Sequence, residues 1–197
     1  MDKKLFWFDC ETTGLYEQRN DIIQLAYIVE INSQVVDRGQ IKMQPLNYDD
    51  DTIGGAISQG ALKVHGITIE DMKQYPTQAD GFIFLEKLLS KYVNRYNKED
   101  KFTPAGWNVN FDMKFLQGLF KKQGCKYFGS YFDYHYLDPM VVLNYLRFYG
   151  RLSTLNAKLG TAAEHFGVEL KAHDAMSDIN ATREISRKLN NFFITGI

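Results

Sequence analysis

Apolar positions along the chain change period several times, and each change predicts an element. Lys4 to Asp9 is a short apolar run that ends at an acid and meets Thr12-Thr13-Gly14, the pattern of a strand stopping at a polar turn. Asp21 to Ile31 is rich in Ile, Val and Tyr, and Gln34 to Met43 is similar. With Asn32-Ser33 between them, the two runs predict an antiparallel hairpin closed by a tight turn. Pro45 to Gly60 is polar and glycine-bearing. Thr68-Ile69-Glu70-Asp71 then carries a capping-box pattern, imperfect because its acid is Asp, which starts a short helix limited by Pro76.

Helical spacing follows. Phe82, Leu85, Leu88, Leu89 and Val93 form one apolar stripe within Ala79 to Tyr96. Phe102 to Trp107 predicts a brief strand. After it, Phe111, Phe115, Leu116, Leu119 and Phe120 predict a second amphipathic helix ended by Gly124, with Asp112 on its first turn. Residues 126–150 are crowded with Tyr and Phe; here Tyr134 to Leu137 predicts a strand and Met140 to Phe148 a helix. Thr161 to Phe166 predicts a short helix closed by Gly167, and Ala175 to Leu189 a longer one with Asp178 near its start. Three β runs followed by helices alternating with brief strands predict an α/β fold, a mixed central β-sheet flanked by α-helices. No repeat, low-complexity segment or linker breaks the pattern, so 1–197 is expected to form a single domain.

Composition narrows the partners. Lys plus Arg is 23 against 24 Asp plus Glu, a net charge of −1, which provides no overall cationic field for a polyanion. Any nucleic-acid contact must be local. The one basic cluster is Lys114, Lys121, Lys122 and Lys126; a helix's last turn accounts for Lys121 and Lys122 as readily as phosphate binding does. Cys10 and Cys125 are too few for a disulfide scaffold and too far apart for a paired-thiol metal motif, so a reducing, cytoplasmic setting is expected. Asp9 and Glu11 interrupt the first apolar run well short of a signal-peptide core, and no run reaches the ~18 apolar residues of a membrane span. No membrane association is expected.

The chemistry lies in the acids. Asp9 and Glu11 are two apart at a strand end, so both side chains leave the same face. Side by side they repel, and either open water or a hard cation such as Mg²⁺ or Mn²⁺ would relieve them. The strand around them is strongly apolar, and Thr12-Thr13-Gly14-Leu15 offers backbone amides and a small residue where a ligand could approach closely. Asp112 opening a helix is by itself favourable to the helix dipole. The spacing of His173 and Asp178 is by itself a weak signal.

Together these segments resemble one family. Phe8-Asp9-Cys10-Glu11-Thr12-Thr13-Gly14-Leu15 resembles the first motif of the DnaQ-like, or DEDD, exonuclease superfamily, and Asn108-Val109-Asn110-Phe111-Asp112-Met113-Lys114-Phe115-Leu116 resembles the second. His173-Asp174-Ala175-Met176-Ser177-Asp178 resembles the third motif of the DEDDh branch. Val64-His65-Gly66-Ile67-Thr68 is similar to a segment that lies beside the terminal nucleotide in proofreading domains of the DNA polymerase III epsilon type. The motifs stand in family order across nearly the whole chain. Two departures are visible: Trp107 stands where many relatives carry His, and residues 126–157 are longer and more aromatic than a minimal domain needs.

The resemblance implies a ribonuclease H-like fold and a metal-dependent 3′–5′ exonuclease that releases nucleoside 5′-monophosphates from DNA. It implies two divalent ions, Mg²⁺ or Mn²⁺, held by Asp9, Glu11, Asp112 and Asp178. His173 would be the general base, since an imidazole of ordinary pKa ~6.5 is mostly neutral near physiological pH. Leu15 and His65 would pack against the terminal base, and Thr12, Thr13 and Gly14 would contact the terminal sugar through the backbone. Single-stranded or frayed 3′ ends of DNA are the expected substrate, and a DNA polymerase is a candidate partner. An exoribonuclease of the same superfamily shares every catalytic position. A non-catalytic polymerase- or nucleic-acid-binding module would be expected to have lost an acid, and none is lost.

Overall fold

The computed structural model describes residues 3–48, 56–171 and 173–195. Strands β1 (Lys4–Thr12), β2 (Ile22–Ile31), β3 (Gln34–Lys42) and β4 (Thr103–Ala105) form one mixed sheet in the order β3-β2-β1-β4. β1, β2 and β3 pair antiparallel, and β4 runs parallel to β1. Asn32 and Ser33 turn the β2–β3 hairpin with φ of 51° and 68°, the left-handed pair that matches the twist of the strands they join. Helices α1 (Gln59–His65), α2 (Ile69–Lys73), α3 (Gln78–Tyr92), α4 (Val109–Lys122), α5 (Phe128–Tyr131), α6 (Pro139–Phe148), α7 (Leu159–Phe166) and α8 (Ala175–Thr195) surround the sheet.

Alternation along β1 creates two faces. Phe6, Phe8 and Cys10 join Phe82, Leu85 and Leu89 of α3 and Met113, Leu116 and Phe120 of α4 in the main core. Phe6 is its hub, with ring centroids 5.6, 6.0, 5.5 and 5.6 Å from Phe8, Tyr27, Phe102 and Phe132. Truncating such a fully buried ring to Ala costs about 3–5 kcal/mol. Trp7 points the other way, into a second cluster with Ala26, Ile28, Ala105 and the α8 residues Ala175 and Ile179. Asp9 and Glu11 share the parity of Trp7, so they project on the face covered by α8. Arg183 of α8 donates to Glu30 Oε2 at 2.5 Å, and the Trp7 indole donates to the same oxygen at 3.2 Å. This part-buried pair ties α8 to β1 and β2 and helps fix where its N-terminus falls.

The expected α/β layout is present, with local differences. Tyr134 to Leu137 is not a strand: parallel bridges form only at Phe132 with Phe102 and at Leu137 with Ala105. Between them Asp133 accepts the His135 N–H at 2.9 Å, a local turn that lifts Tyr134 and Tyr136 into solvent. The third helix stops at Tyr92 rather than Tyr96, since Val93 is extended and Asp100 takes the Asn94 N–H. The Thr68 box forms both of its reciprocal bonds despite Asp in place of Glu. α1 emerges at the end of the expected polar stretch, of which residues 49–55 lie outside the described residues. No helix among the described residues is long and apolar enough to cross a membrane.

Candidate active site

A cleft of about 640 Å³ collects side chains from distant parts of the sequence. The end of β1 contributes Asp9, Glu11 and Thr12, the following turn Gly14 and Leu15, and α1 His65. Asp112 comes from α4, and His173 and Asp178 from the start of α8. Thr13 is the exception among the expected site residues. Fully buried, it accepts the Asp21 N–H on its hydroxyl at 2.9 Å and the Ser58 N–H on its carbonyl at 2.7 Å, which holds the turn against α1 rather than lining the cleft.

Asp112 reaches the site because β4 is short. β4 pairs with β1 only from Leu5 to Trp7, leaving the rest of that edge open. There the Cys10 N–H donates to Asp112 Oδ1 at 2.9 Å. α4 must therefore start hard against β1. A Cβ on Gly106 would lie 2.8 Å from the Phe8 carbonyl, so only glycine fits the approach. Asn108 then adopts a left-handed φ of 55° and makes no side-chain cap of its own. Asp138 supplies that cap, accepting the Asn108 and Val109 N–H groups at 3.2 Å each while also capping α6 through Met140 N–H at 3.0 Å. Trp107 donates its indole N–H to the Ala157 carbonyl at 3.1 Å, joining the start of α4 to the segment before α7.

Four non-glycine residues among those described have positive φ. Two form the hairpin turn; the other two, Asn108 and His173, both line the cleft. Left-handed backbone costs a non-glycine residue free energy, and its concentration here is the kind of local strain found at working sites.

The acids perturb one another strongly. Burial, then the charges of Asp112, Glu11 and Asp178, push Asp9 well above the usual carboxylate range. Burial and the charges of Asp178 and Asp174 push Glu11 up to about 7. Asp112 rises to about 8 by burial, in spite of its Cys10 hydrogen bond. Asp178 rises to about 6 by burial, with the His173 backbone and ring opposing. Among the described residues that line the cleft there is no Lys or Arg to neutralise this charge. Asp178 Oδ1 is buried without a hydrogen-bond partner. An oxygen-rich, unpaired acidic set of this kind fits a hard divalent cation. Among the described residues no three such donors already sit at coordinating distance of one point.

The facing wall is apolar. Leu15 is 71% exposed and lines the cleft together with Val64 and His65 of α1. The turn is built on Asn20, whose Oδ1 accepts the Tyr16 N–H at 2.9 Å. A Cβ on Gly14 would lie 2.5 Å from that same oxygen, and Thr12 donates its hydroxyl to the Gly14 carbonyl at 2.7 Å. His65 Nδ1 accepts the Ile67 N–H at 3.0 Å, and burial lowers the ring's pKa, so the neutral ring carries its proton on Nε2.

The lysine cluster lies elsewhere. Lys122 donates to the Asn20 carbonyl at 2.5 Å and to Asp21 at 2.8 Å, a clamp between α4 and the start of β2. Lys114 and Lys121 line a separate groove beside Glu17. Asp138, Asn20 and Asp174 are positioning residues that the sequence reading did not single out. Asp174 Oδ1 accepts the Ser177 N–H at 2.9 Å, starting α8 immediately before Asp178. Asp138-Pro139 did carry a legible signal, a helix cap followed by proline at the first position.

Comparison with known proteins places the chain in a family. The RNase_T family, described as "Exonuclease", matches residues 6–186. A PolC-type DNA polymerase III from Caldanaerobacter subterraneus subsp. tengcongensis is 30% identical over 183 residues, and one from Halalkalibacterium halodurans is 27% identical. Each alignment covers 92% of this chain but only 11% of the relative. An E. coli exonuclease I complex with single-stranded DNA, in a zinc-bound form, superposes with TM-score 0.78 and 18% identity, covering 100% of this chain and 42% of that one. A second, with a dT13 oligonucleotide, gives 0.71 and 19%. The fold is thus ribonuclease H-like, and the chain belongs to the DnaQ-like exonuclease family and resembles the proofreading domain of polymerase III.

Proposed function

We propose that this chain, acting as one domain over 1–197, hydrolyses single-stranded DNA from its 3′ end and releases nucleoside 5′-monophosphates. The observation that carries the proposal is the convergence of Asp9, Glu11, Asp112 and Asp178 on one cleft with no cationic side chain among its described lining. In this reading these four acids hold two divalent ions, Mg²⁺ or Mn²⁺, which when bound supply charge neutralisation at the phosphate and a more acidic water. Asp112 brings one oxygen already fixed by Cys10. Asp178 brings an oxygen with no protein partner. His173, exposed at the cleft rim, accepts the proton of the attacking water.

Leu15, Val64 and His65 form an apolar wall against which a terminal base can lie, and Thr12 and Gly14 present backbone to its sugar. Thr13 holds the turn from beneath. A paired terminal base would first have to be unstacked, at a cost of a few kcal/mol, so single-stranded or frayed ends are preferred. Similarity to proteins named as DNA polymerases, and to exonuclease I bound to single-stranded DNA, supports DNA over RNA. A polymerase partner is consistent with the PolC similarity.

Digestion of 3′-labelled and 5′-labelled DNA and RNA oligonucleotides, with Mg²⁺, Mn²⁺ or EDTA, tests the proposal. Immediate release of 3′ label as mononucleotide, only with metal and faster on DNA, is expected. Release of 5′ label first, or cutting of a circular single strand, would overturn it.

A further inference from the structure

α6 presents two unlike faces. Leu143 and Leu146 pack inward with Ala162 and Ala163 of α7 and Ile185 and Leu189 of α8. The outward face repeats apolar side chains at helical spacing: Val141, Tyr145 and Phe148, with Tyr149 at the cap, are 58%, 59%, 84% and 61% exposed. Tyr145 and Tyr149 have ring centroids 4.8 Å apart, and Phe148 and Tyr149 5.2 Å. They edge a shallow groove of about 670 Å³. The core does not require these rings, and contiguous exposed aromatics on an otherwise soluble helix mark a contact surface.

Charge selects the occupant. Residues 139–163 contain no Asp or Glu, in a chain whose net charge is −1, while Arg147, Arg151 and Lys158 fall within them. Arg147 is committed to the fold through Asn144 Oδ1 and the Thr154 and Leu155 carbonyls, which shape the loop after α6. Arg151 and Lys158 are exposed. The acidic cleft, by contrast, has no cation among its described lining to hold a polyanion. Both ends of this segment return to the cleft: Asp138 bonds the Asn108 backbone, Ala157 accepts the Trp107 indole, and Leu159 lines the wall.

We propose that the Tyr145, Phe148 and Tyr149 rings, with Arg151 and Lys158, form a stacking track for the single-stranded DNA that trails from the terminal nucleotide. The track rests on the hydrolytic reading above and deepens it. Bases stack on the exposed rings without sequence preference, and the two cations meet backbone phosphates. An acid-free basic loop beside flat rings suits a polyanion with π-faces better than an aliphatic protein helix.

The test compares long and short DNA. Anisotropy of a fluorescent oligo(dT) of about 16 nucleotides, measured without divalent metal, should show Kd raised roughly tenfold or more by a triple variant Tyr145→Ser, Phe148→Ser and Tyr149→Ser. Hydrolysis of a trinucleotide with Mn²⁺ should be unchanged in the same variant, which also verifies its fold. Arg151→Gln and Lys158→Gln should each lower the slope of log affinity against log salt by about 0.7. Unchanged long-oligonucleotide binding in the triple variant would overturn the track, as would equal losses on both lengths. So would a parent dimer, seen by sedimentation, that the variant dissolves while still binding DNA normally. Failure of the unmutated chain to cut the trinucleotide strikes the hydrolytic reading instead, and the anisotropy result distinguishes the two.

Discussion

Asp112, on the first turn of α4, accepts a 2.9 Å hydrogen bond from the backbone N–H of Cys10, 102 residues earlier on β1. One carboxylate oxygen thus completes the open edge of a strand, and the same side chain lines the cleft. The two roles separate under substitution. Asp112→Asn keeps an acceptor oxygen for Cys10, so it should leave urea stability close to the parent and abolish nuclease activity. Asp112→Ala orphans a buried N–H and should cost a further ~1–3 kcal/mol. Equal stability of the two variants would contradict this division.

Acid titration should run against the usual trend. Glu11, Asp112 and Asp178 are held up to about 7, about 8 and about 6 in the folded chain, against ~4 when unfolded. Between those values the folded chain binds more protons, so stability falls as pH rises, and the loss is complete above the folded pKa values. In EDTA the Tm should therefore drop from about pH 5 to about pH 8. Asp9→Asn should flatten the drop and raise Tm at the upper end, and Mn²⁺ should reverse it. A metal-free Tm that climbs across this range would refute the electrostatic account.

Asp138 caps two helices at once, through Asn108, Val109 and Met140. Asp138→Ala should destabilise the chain by about 1–3 kcal/mol. Because it frees the start of α4, activity measured well below the melting transition should fall as well. Asp138→Asn, which retains acceptors, should restore most of both. Loss of stability with fully normal activity would mean that α4 is positioned without it.

What the sequence made legible was what periodicity and short motifs encode. β1 to β3, the Asn32-Ser33 turn and the stripes of α3 and α4 follow from local pattern, whereas only motif resemblance grouped the carboxylates. The features it missed depend on distant contacts. α1 has no buried residue and so no apolar stripe to reveal it. Tyr134 to Leu137 has strand composition but is lifted away by the Asp133 turn. Thr13 sits within the first motif, yet Asp21 and Ser58 draw it beneath the turn. Lys122 looks like a free cation until Asp21 is placed beside it.

His173 occupies left-handed backbone with φ of 64°, where Asn is tolerated better than Ala. His173→Asn should therefore preserve the entry to α8 while removing the proton acceptor. Single-turnover hydrolysis should slow by about 10²–10⁴-fold, with Mn²⁺ affinity nearly unchanged. If affinity fell together with rate, His173 would be a metal ligand rather than the base.

The cage itself is most directly tested by calorimetric titration of Mn²⁺ into the metal-free chain at about pH 8, beside Asp9→Asn. The account predicts two ions bound per chain, with proton release from the raised carboxylates, and loss of that binding in Asp9→Asn. No saturable Mn²⁺ binding, or binding that Asp9→Asn leaves unchanged, would contradict it.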